Sequence, residues 1–316
     1  MKLIALFLIV MTFCILTNSS LSLTYATLGL ELWFQKMIPA LLPFMILSGI
    51  LVRLGLTEKM SMVLYPVLGP VYRVRKNVIY CIMLGFLCGF PMGAKVTADL
   101  LERDLLTRDE GEYLLAFCNN IGPVYFCSFV LPLLGRRLVL PYLFGMYGIP
   151  LLYGLLLRYT FFRNRLYTEK EIRRISRKPE LLCCERTGSK TVLRFLSAAD
   201  ESIRASLASI LTLGGYMILF NLFNLLPHLL LRREPLLAAP LLEISGGLSL
   251  LGGRLPLYSL LVLSFGGLSC VAQTYSCIRN TGLSVGSYLK HKVILTLLTA
   301  AFYLCWFLAA PSTFLL

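Results

Sequence analysis

At 316 residues, 57% of them apolar and with a mean hydropathy of +0.77, the chain lies outside the range of soluble domains and reads as an all-α polytopic membrane protein. A formal charge of +14 would suggest a nucleic-acid partner in a soluble protein, but here the surplus sits in short loops and one basic segment, the mark of cytoplasmic loops, and no nucleic acid is expected. Ten cysteines without a Cys-x-x-Cys, beside only two histidines, point to neither a disulfide framework nor a metal centre, and no cofactor is expected.

Lys2, the apolar run to Leu16 and the following Thr-Asn-Ser-Ser read as an uncleaved signal-anchor span over residues 1–28. Residues 28–36 carry Glu31, Trp33 and Gln35 and read as an interfacial lead-in, with Trp33 at headgroup level, to a span over 37–54. Residues 60–74 contain Pro66, Gly69 and Pro70, too short and broken a segment to cross. Charge-free runs at 113–135, 138–157, 205–231, 255–278 and 293–316 are each long enough to span a bilayer.

The stretch 85–99 departs from this pattern. Gly85, Gly89, Pro91 and Gly93 interrupt a run that starts at Asn77, and Pro91 both removes a backbone donor and restricts Phe90. A helix from Asn77 reaches Gly89 after roughly 18 Å, so the break falls within the roughly 30 Å hydrocarbon core. Irregular backbone at that depth must be buried in protein or line a cavity. A second helix starting near Ala94 would point its amides at that cavity, and with Lys95 and Thr97 would make an anion-accepting site. The alternative is that Lys95 snorkels at a span end, with Asp99 as its i+4 neighbour.

After a charged loop with Thr107 as helix cap and Glu110 three residues on, the run from 113 to 134 is interrupted by Asn119, Asn120, Gly122 and Pro123. Paired amides at a helix break read as ligand-lining groups, with polar packing between helices as the alternative. Residues 161–195 form a basic cytoplasmic linker in which the adjacent Cys183 and Cys184 are incidental. His228 and His291 fall near span ends and are read as solvated.

The second half echoes the first. Pro43-Phe-Met-Ile-Leu47 is matched by Gly215-Tyr-Met-Ile-Leu219, and Phe86, Gly89 and Ala94 by Phe265, Gly267 and Ala272. In the second copy Ser269 and Gln273 stand where the first has charge. Glu243, in an apolar segment, is read first as the partner of Arg254 and second as a carrier of a coupling ion. With Lys2, 53–76 and the linker all cytoplasmic, crossings at 113–134 and 138–157 make 77–99 a re-entrant hairpin and give two inverted repeats with broken or re-entrant helices. That count also puts Arg136, Arg137, Arg232 and Arg233 outside, against the charge rule.

Gly89-Phe-Pro-Met-Gly-Ala-Lys95-Val-Thr-Ala-Asp99, then Asn119-Asn120-Ile-Gly122-Pro123, Leu242-Glu243-Ile-Ser-Gly and Phe265-Gly-Gly-Leu-Ser-Cys-Val-Ala-Gln273 resemble the YlbJ family of sporulation integral membrane proteins, from about Trp33 to Phe307. The resemblance implies the nucleoside-recognition, or Gate, group, related to concentrative nucleoside transporters and to the membrane part of ferrous-iron transporters. It divides the chain into the 1–28 span, a Gate-like repeat over 29–160, the 161–195 linker and a second repeat over 196–316. It also implies a role in endospore formation, where a member is implicated in moving dipicolinate across the outer forespore membrane.

The expectation is a transporter of a small anionic metabolite, in the bacterial cell membrane or the outer forespore membrane, whose substrate is held by Gly89, Pro91, Gly93, Lys95, Thr97, Asn119, Asn120, Gly122, Glu243, Ser269 and Gln273. A partner-dependent assembly factor or channel subunit and a nucleoside-type permease are the alternatives. Besides the metabolite and the lipid bilayer, expected partners are a second copy of the chain or other sporulation membrane proteins. No Ser/His or paired-carboxylate constellation suggests an enzyme, and no phosphate-binding loop suggests direct use of nucleotide energy.

Overall fold

The computed structural model describes residues 1–167 and 188–314; most of the expected linker, with Cys183 and Cys184, lies outside the described residues. Among the described residues all regular elements are helices, and five are long and apolar enough to cross a bilayer: Ser19–Arg53, Arg136–Tyr159, Val192–Leu231, Pro256–Ile278 and Val285–Ala309. Leu23, Leu152, Leu297 and Leu308 lie exposed on their outer faces, a surface suited to hydrocarbon. The chain is an all-α integral membrane protein.

The first helix, Lys2–Thr17, stops at Asn18, and the next runs from Ser19 to Arg53 through a wide turn at Trp33–Met37. Trp33 is therefore not in an interfacial lead-in. Its indole N–H donates to the Ile210 carbonyl at 2.9 Å, and its ring fills the notch left by Gly214, where a Cβ would come within 2.5 Å of the ring. Glu31, Gln35 and Lys36 fall on the exposed face while Leu32 and Met37 are buried, so a helix accommodates the polar residues without ending. Small residues let this helix lie close along Val192–Leu231, with Gly29 against Ile218 and Gly49 against Ser202.

Residues 60–74 fall in two short helices, Thr57–Ser61 and Tyr65–Tyr72, which do not cross. Beyond them Arg75 grips Glu110 through two nitrogens, one at 2.8 Å. Burial acts to lower the Arg75 pKa, but the hydrogen bond and charge of Glu110 prevail and hold it above its ordinary value. Glu110 also completes a capping box with Thr107, as its spacing predicts.

The helix Lys76–Cys88 ends at Gly89, whose φ of 80° only glycine adopts readily, and Met92–Leu101 doubles back along it. The hairpin forms as the Gly/Pro cluster predicts, with its second arm starting two residues before Ala94. The run 113–134 is not a continuous crossing. Arg108–Leu115 stops, Asn119 and Asn120 lie in irregular backbone, and Pro123–Leu134 is a separate helix of about 18 Å. The orientation count, which requires a full span here, loses one of its two crossings.

After Val192–Leu231 come two short helices, Ala239–Leu242 and Ile244–Leu251, joined at Glu243. Pro256–Phe265 then meets Gly267–Ile278 at two glycines of positive φ, and Val285–Ala309 follows. This order parallels the first half from Ile38–Arg53 onward: long helix, two short helices, helix, glycine break, helix. His291 is not solvated, whereas His228 keeps partial exposure. His291 is buried with Nδ1 2.6 Å from the Tyr153 hydroxyl, and His228 Nδ1 lies 2.8 Å from that of Tyr25.

Candidate functional site: a cavity between helix breaks

The helix breaks pack on one another through bare backbone. A Cβ on Gly89 would collide with the Gly122 amide, one on Gly85 or Gly93 with the Cys118 carbonyl, and one on Gly122 would stand 2.6 Å from the Cys88 carbonyl group. In the second half, a Cβ on Gly247 would collide with Pro240, and Gly267 faces the Pro240 carbonyl and the Ile244 amide. Glycine at these positions lets two irregular segments share backbone contacts where side chains would hold them apart.

Between these paired breaks lies a small inner cavity of about 50 Å³. Met37 and Leu41 of the long Ser19–Arg53 helix give it an apolar wall, and Tyr125, Glu243, Ser245 and Gln273 supply polar groups from three further elements. Beside it is an outer cavity of about 220 Å³, lined by Pro91, Lys95, Glu102, Ser209 and Arg279. Leu213 and Gln273 line both and form the partition. Apolar walls with a few convergent polar groups are the ordinary make-up of a small-molecule site.

Glu243 is buried at the start of Ile244–Leu251 and caps it. Oε1 accepts from the Ser245 amide at 3.1 Å, and Oε2 from the Gly246 amide at 2.6 Å and from Asn221 Nδ2 at 3.1 Å. The expected pairing with Arg254 does not occur: Arg254 is exposed, and Glu243 makes no ion pair among the described residues. Amides two and three residues away in a forming helix reach the carboxylate before a guanidinium eleven residues on. Next to it, the Tyr125 hydroxyl donates to Ser245 Oγ at 3.0 Å.

The structure divides the eleven residues singled out from sequence. Gly122, Glu243 and Gln273 line the inner cavity; Pro91 and Lys95 line the outer one. Lys95 Nζ is 2.6 Å from Asp99 Oδ1, so its charge is matched within its own helix. Gly89 and Gly93 serve the backbone contacts. Thr97 Oγ1 is turned back to the Gly93 carbonyl at 2.7 Å, and Ser269 Oγ accepts from Gln273 Nε2 at 2.9 Å, steadying the partition. Asn119 Nδ2 donates to Thr274 Oγ1 at 2.8 Å, and Asn120 Nδ2 to the Phe117 carbonyl at 2.6 Å, so both amides fasten the break behind the wall.

Sequence reasoning passed over Lys292. It is buried in Val285–Ala309, with Nζ 3.1 Å from the Asn119 carbonyl and 3.2 Å from Asn120 Oδ1, and 4.3 Å from the centre of the Phe90 ring. Counting charge-free runs set it aside as the boundary of 293–316. The signal was the Ser284 cap: a helix from there carries Lys292 roughly 12 Å from its start.

In sequence the chain is similar to the sporulation integral membrane protein YlbJ of Bacillus subtilis (strain 168), with 28% identity over 243 residues. The match covers 70% of this chain and 55% of that protein, so the chain matches little more than half of the relative's length. No family model and no solved structure matches the chain. That relative is an integral membrane protein, as the five spanning helices make this chain.

Proposed function

We propose that the chain is a sporulation-associated membrane transporter that moves a small anionic metabolite through the cavities between its helix breaks, with dipicolinate the candidate that the family resemblance implies. The observation that carries this reading is the inner cavity itself. Backbone breaks from both halves of the chain surround it, Glu243, Ser245, Tyr125 and Gln273 supply its polar groups, and Leu213 and Gln273 stand between it and an outer cavity bearing Lys95 and Arg279. Interrupted helices at membrane depth suit a substrate site because they free backbone groups to meet a ligand. The similarity to a sporulation membrane protein supports the setting, and the parallel order of elements supports two repeats that flank the site.

Uptake of labelled dipicolinate into proteoliposomes, with a nucleoside as control, tests the reading. Saturable dipicolinate uptake is expected. Uptake of the nucleoside alone would replace it with the nucleoside-permease reading, and uptake of neither by folded protein would favour a partner-dependent assembly factor or channel subunit.

A further inference from the structure

Lys292 is 2% exposed, and an ammonium at this depth is costly unless it is compensated. Arg53, Arg75, Lys76 and Lys95 each sit on a carboxylate, whereas Lys292 has none within ion-pair distance among the described residues. Its acceptors are two neutral oxygens, the Asn119 carbonyl and Asn120 Oδ1. An ammonium has three donors, and besides these two oxygens Nζ has the face of Phe90, 4.3 Å from the ring centre.

Phe90 belongs to two surroundings at once. It lines the inner cavity, and its ring touches the second glycine break, where a Cβ on Gly266 would stand 2.8 Å from Cε2 and Cζ. The ring therefore lies between the cavity and the Lys292 amine, which has no carboxylate partner among the described residues. It is half-buried and sits in the turn between Cys88 and Met92, outside the flanking helices. Glu243, the acidic group of the same cavity, has its carboxyl oxygens met by Asn221 and by two amides of the helix N-terminus that it caps.

We propose that Lys292 is the anion-recognition group of the inner cavity and that the Phe90 ring is the shutter over it. A ligand carboxylate displaces the ring and exchanges a cation–π contact for a charge-assisted hydrogen bond, the stronger of the two. This rests on the reading of the cavity as an anion pathway, and it moves the recognition of charge from Lys95, already matched by Asp99, to Lys292.

The test is acetylation of the full chain in lipid nanodiscs by acetic anhydride, with each lysine followed by mass spectrometry. In Phe90→Ala, Lys292 is expected to react at least tenfold faster than in the wild type, with Lys95 unchanged. Dipicolinate is expected to slow that reaction severalfold, and the neutral pyridine-2,6-dicarboxamide to leave it alone. Equal Lys292 rates in wild type and variant would overturn the shutter; equal effects of the diacid and the diamide would overturn the anion site. Should Phe90→Ala fail to fold, Phe90→Leu carries the same comparison. Protection of Lys292 by the diacid in protein that accumulates none would sink the transport reading alone, and uptake without protection would sink this site alone.

Discussion

Gly89 and Gly122 meet backbone to backbone, each occupying the space in which a side chain of the other would stand. Two helix breaks, 33 positions apart in sequence, are thereby locked into one wall of the inner cavity.

Replacing either glycine should separate those breaks. Gly122→Ala places a methyl group against the Cys88 carbonyl, and Gly89→Ala adds the strain of a φ of 80°. Each should cost about 3 kcal/mol, read as a lowered melting temperature in detergent. Gly135→Ala is the control for strain without crowding, since its φ is 81° and nothing lies near the added Cβ. It should cost less than either.

Glu243→Ala removes the cap of Ile244–Leu251 and strands Asn221, whose Oδ1 already lacks a partner. A loss of about 2 kcal/mol is expected, and a smaller one for Glu243→Gln, which retains an acceptor. Arg254→Ala should leave thermal stability unchanged; a loss equal to that of Glu243→Ala would restore the pairing that the sequence suggested.

Lys95 and Asp99 form a largely buried pair within one helix turn, their side chains 21% and 19% exposed. Lys95→Ala leaves the Asp99 carboxylate without its partner and should cost about 2 kcal/mol while leaving the fold intact. Unfolding of this variant would mean that Lys95 supports more than its neighbour.

Glu110→Gln keeps an amide oxygen for the capping box but removes the charge that faces Arg75. Because the Glu110 side chain is buried, about 3 kcal/mol should be lost. Arg75→Met combined with Glu110→Gln should recover part of it, as a double-mutant cycle would report.

How much of this was legible in the sequence follows from what each feature depends on. The breaks at Gly89 and at Asn119 to Pro123 were legible because missing donors, positive φ and side-chain amides act on the local backbone. The Thr107 cap was legible for the same reason. What was not legible depends on partners distant in sequence. Trp33 looked interfacial because its bond to Ile210 forms only once two long helices pack together. Glu243 looked like half of an ion pair until the helix after it supplied amides. Lys292 looked like a span boundary because hydropathy runs end at a charge whether or not the helix does. The site residues behaved likewise: Asn119 and Asn120 were rightly placed at a break, but their side-chain amides face Thr274 and the Phe117 carbonyl.

The most direct measurement is saturable uptake of labelled dipicolinate by proteoliposomes holding either the wild type or Leu213→Trp, which plugs the partition between the two cavities. Uptake by the wild type, uncompeted by nucleoside and abolished in a Leu213→Trp protein of unchanged melting temperature, is the predicted result. No uptake by folded wild type, or full uptake by the plugged variant, would contradict an anion path through these helix breaks.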